Sequence, residues 1–186
     1  LGHNGNLTNT ADLSERLAEL ASTSGELPIN AGLYATTDTE VISSLLAAHP
    51  DLPLEQAALE ELPKLLGAFS LVFMDDDALY AARDAQGIRP LVLGRLERGW
   101  VIASETAALD IVGASVVREV EPGELVVIDS NGLRSHHFAT ADPKGCLFEY
   151  VYLARPDTTI AGRGVQATRV EIGRQLAREY PVEADL

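Results

Sequence analysis

A chain of 186 residues with 46% hydrophobic side chains has enough apolar material for the core of one ordinary domain, or one domain and part of another. Its 28 acidic and 14 basic residues leave a formal charge of −14, which repels a phosphate backbone and excludes nucleic acid as a partner; the acidity reads as a solvated surface. The longest apolar run, LLGAFSLVFM, is far short of a bilayer span and no basic-then-apolar leader opens the chain, so a soluble, cytosolic protein is expected. A single cysteine, Cys146, excludes an internal disulfide framework.

The chain begins with GHNGNLTN, whose Asn4-Gly5 pair reads first as a turn. Residues 10–20 then place Leu13, Leu17 and Leu20 at helical spacing behind Asn9 or Thr10 as caps, with an end expected at 25–28. In TTDTEVISSLLAAHP, Thr37 and Glu40 have capping-box spacing, Val41, Leu45 and Ala48 share a face, and Pro50 stops the run. A third helix is predicted over residues 54–66. From Gly67 the texture becomes β: GAFSLVFMD, ALYAARD, PLVLGRL and GWVIASE are short apolar segments divided by turn residues. A short helix over 105–112 and two further strands over 124–128 and 133–138 follow, the latter joined by an Asn131-Gly132 turn.

Three helices followed by a strand meander predict an α+β layered domain with antiparallel sheet. The turn-rich stretch 140–145 marks a candidate boundary. FEYVYLARPD is ambiguous between strand and helix; residues 165–179 read as a helix with Arg169, Arg174 and Arg178 toward solvent, ended by Pro181; and VEADL reads as a strand being entered.

The candidate chemistry is sparse. A side-chain amide beside a backbone N–H, as at Asn4-Gly5, can aim two donors at one oxygen, as an oxyanion hole requires, although the turn reading outweighs this on the residues alone. Asp38 reads as a first-turn acid facing the helix dipole, or as a carboxylate able to hold an ammonium group. In RDAQGIRPL, Arg89 reads as the partner of a nearby acid such as Asp84 within a structured β connection. His136 and His137 point to opposite faces of a strand, so they cannot share one ion, and His49 reads as a cation at a helix end. No His–Asp set surrounds Cys146, which reads as a small core residue.

In this order and spacing, GHNGNLTN, TTDTEVI, GAFSLVFM, ARDAQGIRPLVLG, WVIASETAALD, EPGELVVI and CLFEYVYLARPD closely resemble the amidophosphoribosyltransferases, the glutamine-dependent enzymes of purine biosynthesis. HNGN with a following TDTE is shared by class II glutamine amidotransferases generally, including glucosamine-6-phosphate synthase. GIRPL and FEYVYLARPD narrow the resemblance to the purine family. The resemblance implies an N-terminal-nucleophile hydrolase fold, a four-layer αββα sandwich with antiparallel sheets. An amino-terminal cysteine would attack the glutamine amide, with its own α-amino group as base, forming a glutamyl thioester that water resolves. By the motif match, Asn4 (side chain) and Gly5 (backbone N–H) supply the oxyanion hole and Asp38 binds the substrate's α-ammonium group.

The resemblance further implies an internal fragment, inactive by itself. The nucleophile and an arginine-containing loop would precede Leu1, and the pyrophosphate loop and acidic Mg2+ motif would follow Leu186. Residues 1–140 correspond to the glutaminase domain, 141–162 to a connecting segment and 163–186 to the opening of the phosphoribosyltransferase domain. The parent would pass glutamine-derived ammonia to phosphoribosyl pyrophosphate, giving 5-phosphoribosylamine, and would be a homo-oligomer. Cys146 matches a position that supplies one ligand to a [4Fe–4S] cluster in one branch of the family, while members without a cluster also carry Cys here. Another class II amidotransferase and a non-catalytic module with the same fold are the alternatives.

Overall fold

The computed structural model describes residues 1–24, 35 and 37–184. In chain order the elements are β1 (Gly2–Leu7), α1 (Thr10–Ser24), α2 (Asp38–Ala47), α3 (Leu54–Glu61), β2 (Gly67–Met74), β3 (Leu79–Arg83), β4 (Val92–Leu96) and β5 (Gly99–Ala103). They continue with α4 (Thr106–Ile111), β6 (Ser115–Glu119), β7 (Glu124–Asp129), β8 (Gly132–His137), β9 (Thr159–Ile160), β10 (Arg163–Gly164) and α5 (Val165–Glu179). The chain divides into two compact units, one of Leu1–Arg89 with Val120–Lys144, the other of Pro90–Glu119 with Gly145–Leu186. The expected α+β class with antiparallel sheets is found.

The first unit is a five-stranded antiparallel sheet in the order β1-β2-β3-β7-β8, with α1, α2 and α3 packed on one face. Strand alternation decides which side chains meet the helices: Phe69, Leu71 and Phe73 of β2, Tyr80 and Ala82 of β3, and Leu125 and Val127 of β7 share that face. They enclose Leu13 and Leu17 of α1 and Val41, Ile42 and Leu45 of α2, the positions that helical periodicity singles out. Ser70, Ala81 and Val126 on the opposite face are buried as well, which is why GAFSLVFM is a continuous apolar run rather than an alternating one. The Thr37–Glu40 capping box is present: Thr37 Oγ1 accepts from the Glu40 N–H at 3.2 Å and Glu40 Oε2 accepts from the Thr37 N–H at 3.2 Å.

The second unit carries a three-stranded antiparallel sheet in the order β5-β4-β6, with α4 against it through Leu109, and a β9–β10 hairpin that leads into α5. Thr106 and Thr158 tie its segments together, their hydroxyls 3.2 Å apart, while Thr158 Oγ1 accepts from the Ala107 N–H at 3.3 Å. No helix among the described residues is long and apolar enough to cross a membrane.

Several expectations are corrected. Residues 2–7 form an edge strand, not a turn: they pair with β2 in continuous antiparallel register, from Gly2 opposite Val72 to Leu7 opposite Gly67. The third helix stops at Glu61 and gives way to one tight 3₁₀ turn, Leu62–Lys64, at Pro63, which lacks the N–H that would continue it. The β7–β8 hairpin pairs Asp129 with Gly132, so its loop residues are Ser130 and Asn131, not Asn131-Gly132; Asp129 Oδ1 accepts from the Asn131 N–H at 2.7 Å, and Gly132 takes φ +110° as the strand resumes.

β6 was not among the expected strands: its consecutive Val116 and Val117 are both exposed and show no alternation. FEYVYLARPD resolves into one wide helical turn, Glu149–Leu153. Arg169 does not face solvent: its guanidinium donates to the carbonyls of Tyr150 at 2.6 Å and Ala154 at 2.8 Å. Residues 181–184 are irregular rather than a strand, and the expected end of α1 at 25–28 lies outside the described residues.

Candidate active site

The opening segment is an edge strand whose only partner in the sheet among the described residues is β2, and this fixes what each residue presents. Thr8 donates its N–H to Leu66 O at 2.8 Å, so by two-residue alternation the N–H groups of Asn4 and Asn6 also face β2 while those of Gly5 and Leu7 face the unpaired edge. The polar side chains satisfy nearby backbone. Asn9 donates to Lys64 O at 2.9 Å and accepts from the Leu66 N–H at 3.0 Å, and Thr8 Oγ1 donates to Leu66 O at 3.2 Å. Gly5 cannot be replaced within this geometry. Its φ is +154°, and a Cβ there would collide with the Ala68 carbonyl and approach His3 Nε2.

Asp38, the first residue of α2, reaches this same edge. Its Oδ2 accepts from the Leu7 N–H at 3.1 Å, and its Oδ1 lies 3.5 Å from His3 Nδ1 and accepts from Thr39 Oγ1 at 3.4 Å. Burial pushes the Asp38 carboxyl up, but the Leu7 N–H, His3 and Thr39 outweigh it and hold the group below its ordinary value. A carboxylate that stays ionised, with 20% of its side chain exposed, is suited to an ammonium partner. His3, whose side chain is only 2% exposed, has Nδ1 3.3 Å from Thr39 Oγ1, and its Nε2 has no hydrogen-bond partner among the described residues.

Asn4 points to the opposite face of the sheet from His3, where Arg89 Nε donates to its Oδ1 at 3.0 Å. This corrects the expected Arg89–Asp84 pair. Asp84 instead organises the turn, its Oδ2 accepting from the Phe69 N–H at 3.1 Å and its Oδ1 from the Gln86 N–H at 3.0 Å. The structure therefore brings Asn4, Gly5 and Asp38 to one strand. It adds His3 and Arg89, whose roles depend on contacts across 36 and 85 residues that no local pattern could reveal.

The remaining candidates lie elsewhere. His136 meets Glu55 at 2.7 Å and His137 meets Glu121 at 3.1 Å, confirming their opposite faces. His49 is not simply a helix-end cation: it meets the buried Glu61 at 2.8 Å, beside Arg16 and Lys64. A cavity of about 580 Å³ in the first unit is lined by Asn6, Thr8, Phe69, Asp84 and Phe138, but by none of Asn4, Gly5 or Asp38. Cys146 belongs to the second unit, where it is half-buried.

Comparison with known proteins places this geometry in a family. The family described as "Glutamine amidotransferase domain" matches residues 1–111. An amidophosphoribosyltransferase of Mycobacterium leprae is 62% identical over the whole chain and one of Synechocystis is 43% identical; the chain covers 33% and 37% of their lengths. It thus spans about a third of the curated relatives it matches. Among solved structures, the glutamine phosphoribosylpyrophosphate amidotransferase of B. subtilis superposes with a TM-score of 0.87 at 36% identity, over 99% of this chain and 39% of that one. A second, titled as the allosteric regulatory enzyme of purine biosynthesis, gives 0.86 at 36% identity, over 98% and 38%. The edge strand with its Asn-Gly pair and the capped helix that brings Asp38 to it lie within the matched residues, and the chain belongs to the glutamine amidotransferase domain family.

Proposed function

We propose that this chain supplies the oxyanion and substrate-ammonium half of the glutaminase site in an amidophosphoribosyltransferase. The observation that carries the reading is the meeting of Asp38 with the outer edge of β1, two residues beyond the Gly5 N–H on the same edge. Attack on the glutamine amide carbon moves the carbonyl electrons onto oxygen. The Gly5 N–H and the Asn4 amide are the donors for that charge, and fixed donors gain most where the charge develops. Asp38 holds the α-ammonium group, which sets the distance from the anchored end of glutamine to its reacting amide. The attacking thiolate belongs to an amino-terminal cysteine by resemblance. Cys146 is internal and has no free α-amino group, so it does not fill that role.

In the same reading, residues 1–140 are the glutaminase portion, 141–162 connect, and 163–186 open a phosphoribosyltransferase domain in which ammonia displaces pyrophosphate from phosphoribosyl pyrophosphate. The change of compact unit between Lys144 and Gly145 falls close to 140, while Pro90–Glu119, inside the glutaminase portion in this reading, groups with Gly145–Leu186. A [4Fe–4S] cluster takes four thiolates and this chain has one cysteine, so Cys146 fits a single corner of a cluster and these residues hold none by themselves. For a divalent cation, the candidate group among the described residues is His49, Glu60 and Glu61; it does not fit, because Arg16 and Lys64 already neutralise Glu61.

The test is Asp38→Asn in the full-length protein. A charge-assisted contact to the substrate ammonium is worth about 1.5–3 kcal/mol, so KM for glutamine should rise roughly 10- to 100-fold with kcat largely kept. An unchanged KM would leave Asp38 as a helix-start acid that caps the β1 edge.

A further inference from the structure

We infer that Arg89 is a positioning residue for the oxyanion hole: it fixes which way the Asn4 amide faces. This rests on the reading of Asn4 as an oxyanion donor. Asn4, Ser70 and Arg83 stand side by side across β1, β2 and β3, since Asn4 pairs with Ser70 and Ser70 with Arg83 in the sheet register. Arg89 hooks back over this row. Its own carbonyl accepts from Arg83 Nε at 2.8 Å and from Ser70 Oγ at 3.1 Å, two side chains that are 6% and 3% exposed. Arg83 also holds the carbonyls of Gly87 at 3.0 Å and Val120 at 2.8 Å, so the turn that carries Arg89 is pinned at several points. From that anchor the Arg89 guanidinium donates to Asn4 Oδ1 at 3.0 Å.

The chemistry of the pair makes the contact directional. A primary amide can present either its oxygen or its NH2 to a neighbour, and the two arrangements are nearly isosteric. A guanidinium has donors only, so it accepts one arrangement: oxygen toward Arg89, NH2 away from it. An oxyanion hole needs that NH2. With a neighbour that both donates and accepts, the amide could turn over and offer its oxygen to the developing negative charge, which would repel it. The cation on the amide oxygen also polarises the amide and strengthens its N–H as a donor.

The test measures glutamine hydrolysis by the full-length protein with Arg89→Gln, Arg89→Lys, Asn4→Ala and the Arg89→Gln/Asn4→Ala double variant. The clamp on the Arg89 carbonyl belongs to the backbone and survives these changes, which matching thermal melts will show. Arg89→Gln should lower kcat roughly tenfold with KM within about twofold, the pattern of an interaction made in the transition state. Arg89→Lys, still donor-only, should recover part of the loss, and the double variant should be no slower than Asn4→Ala alone, because the two residues act through one amide. An unchanged kcat in Arg89→Gln, a rise confined to KM, or losses that multiply in the double variant would overturn the proposal while leaving the oxyanion reading standing. A wild-type kcat in Asn4→Ala would instead remove the oxyanion reading, and this inference with it. Should Arg89→Gln not fold, Arg89→Met, which keeps the length but has no donor, decides: a lowered kcat at constant KM supports the role and a wild-type kcat ends it.

Discussion

Each of the two compact units is held together internally by different physics. In the first, one apolar cluster runs through α1, α2, α3 and strands β1, β2, β3 and β7, and the residues at its centre are 0–1% exposed. In the second, a buried cluster of Val92, Leu109 and Ala114 is joined by polar hooks onto backbone: the Thr106–Thr158 pair, Glu105 accepting from the Arg155 N–H at 2.9 Å, and Arg169 on the carbonyls of the wide turn. Ile111, Val116, Leu147, Phe148 and Tyr152 of that unit remain exposed. A site that must hold donors to within a fraction of an ångström is better built on the first kind of scaffold, and β1 and α2 both belong to it.

The contrast is broken most severely from the core. Phe69→Ala, at a residue 1% exposed in the middle of the first unit, should cost about 3–5 kcal/mol in denaturant unfolding. Leu109→Ala should cost nearer 2 kcal/mol, since its half-buried neighbours Leu96, Val101 and Ala103 can close on the space. Equal losses would show that the second unit's core is as demanding as the first's.

An effect between those two comes from the ion cluster that joins Arg16 of α1 to Glu61 of α3. Glu61 is 1% exposed, and although burial pushes its carboxyl up, Arg16, Lys64 and His49 together bring it down to about 2. Its folded value lies below its unfolded one, so its stabilisation is full above about pH 4.5 and is lost as pH falls toward 2. The loss should be roughly 3 kcal/mol, and Glu61→Gln should remove most of that pH dependence from the unfolding free energy. A variant with the same acid profile would assign the transition to other carboxylates. Smallest is Thr158→Val, which removes one acceptor from the Ala107 N–H and one partner from Thr106, for about 1–2 kcal/mol.

The same division decided what could be read from the sequence. Helices α1 and α2 and strands β2, β3 and β7 were legible because burial on one face writes a period into Leu13, Leu17, Val41 and Leu45, and burial on both faces writes an apolar run. β6 was not, because neither face of Val116 and Val117 is covered within the described residues. β1 was misread because Gly and Asn signal turns through backbone freedom, and the same freedom also serves an edge strand at a site of close approach. Asn4, Gly5 and Asp38 were singled out as candidates by motif, but the contacts that His3 makes with Asp38 and Arg89 makes with Asn4 arise only when distant segments fold together. Arg89 in particular carried the expectation of a nearby acid such as Asp84, since an arginine in a turn gives no sign that it also meets an amide 85 residues away.

The central claim is that the edge of β1 stabilises charge during glutamine hydrolysis, and Asn4→Ala in the full-length protein tests it most directly. Loss of one oxyanion donor should lower kcat by roughly 10²- to 10³-fold with KM for glutamine little changed. A kcat equal to that of the unaltered protein would contradict the account and return Asn4 to the role of an edge-strand residue tethered by Arg89.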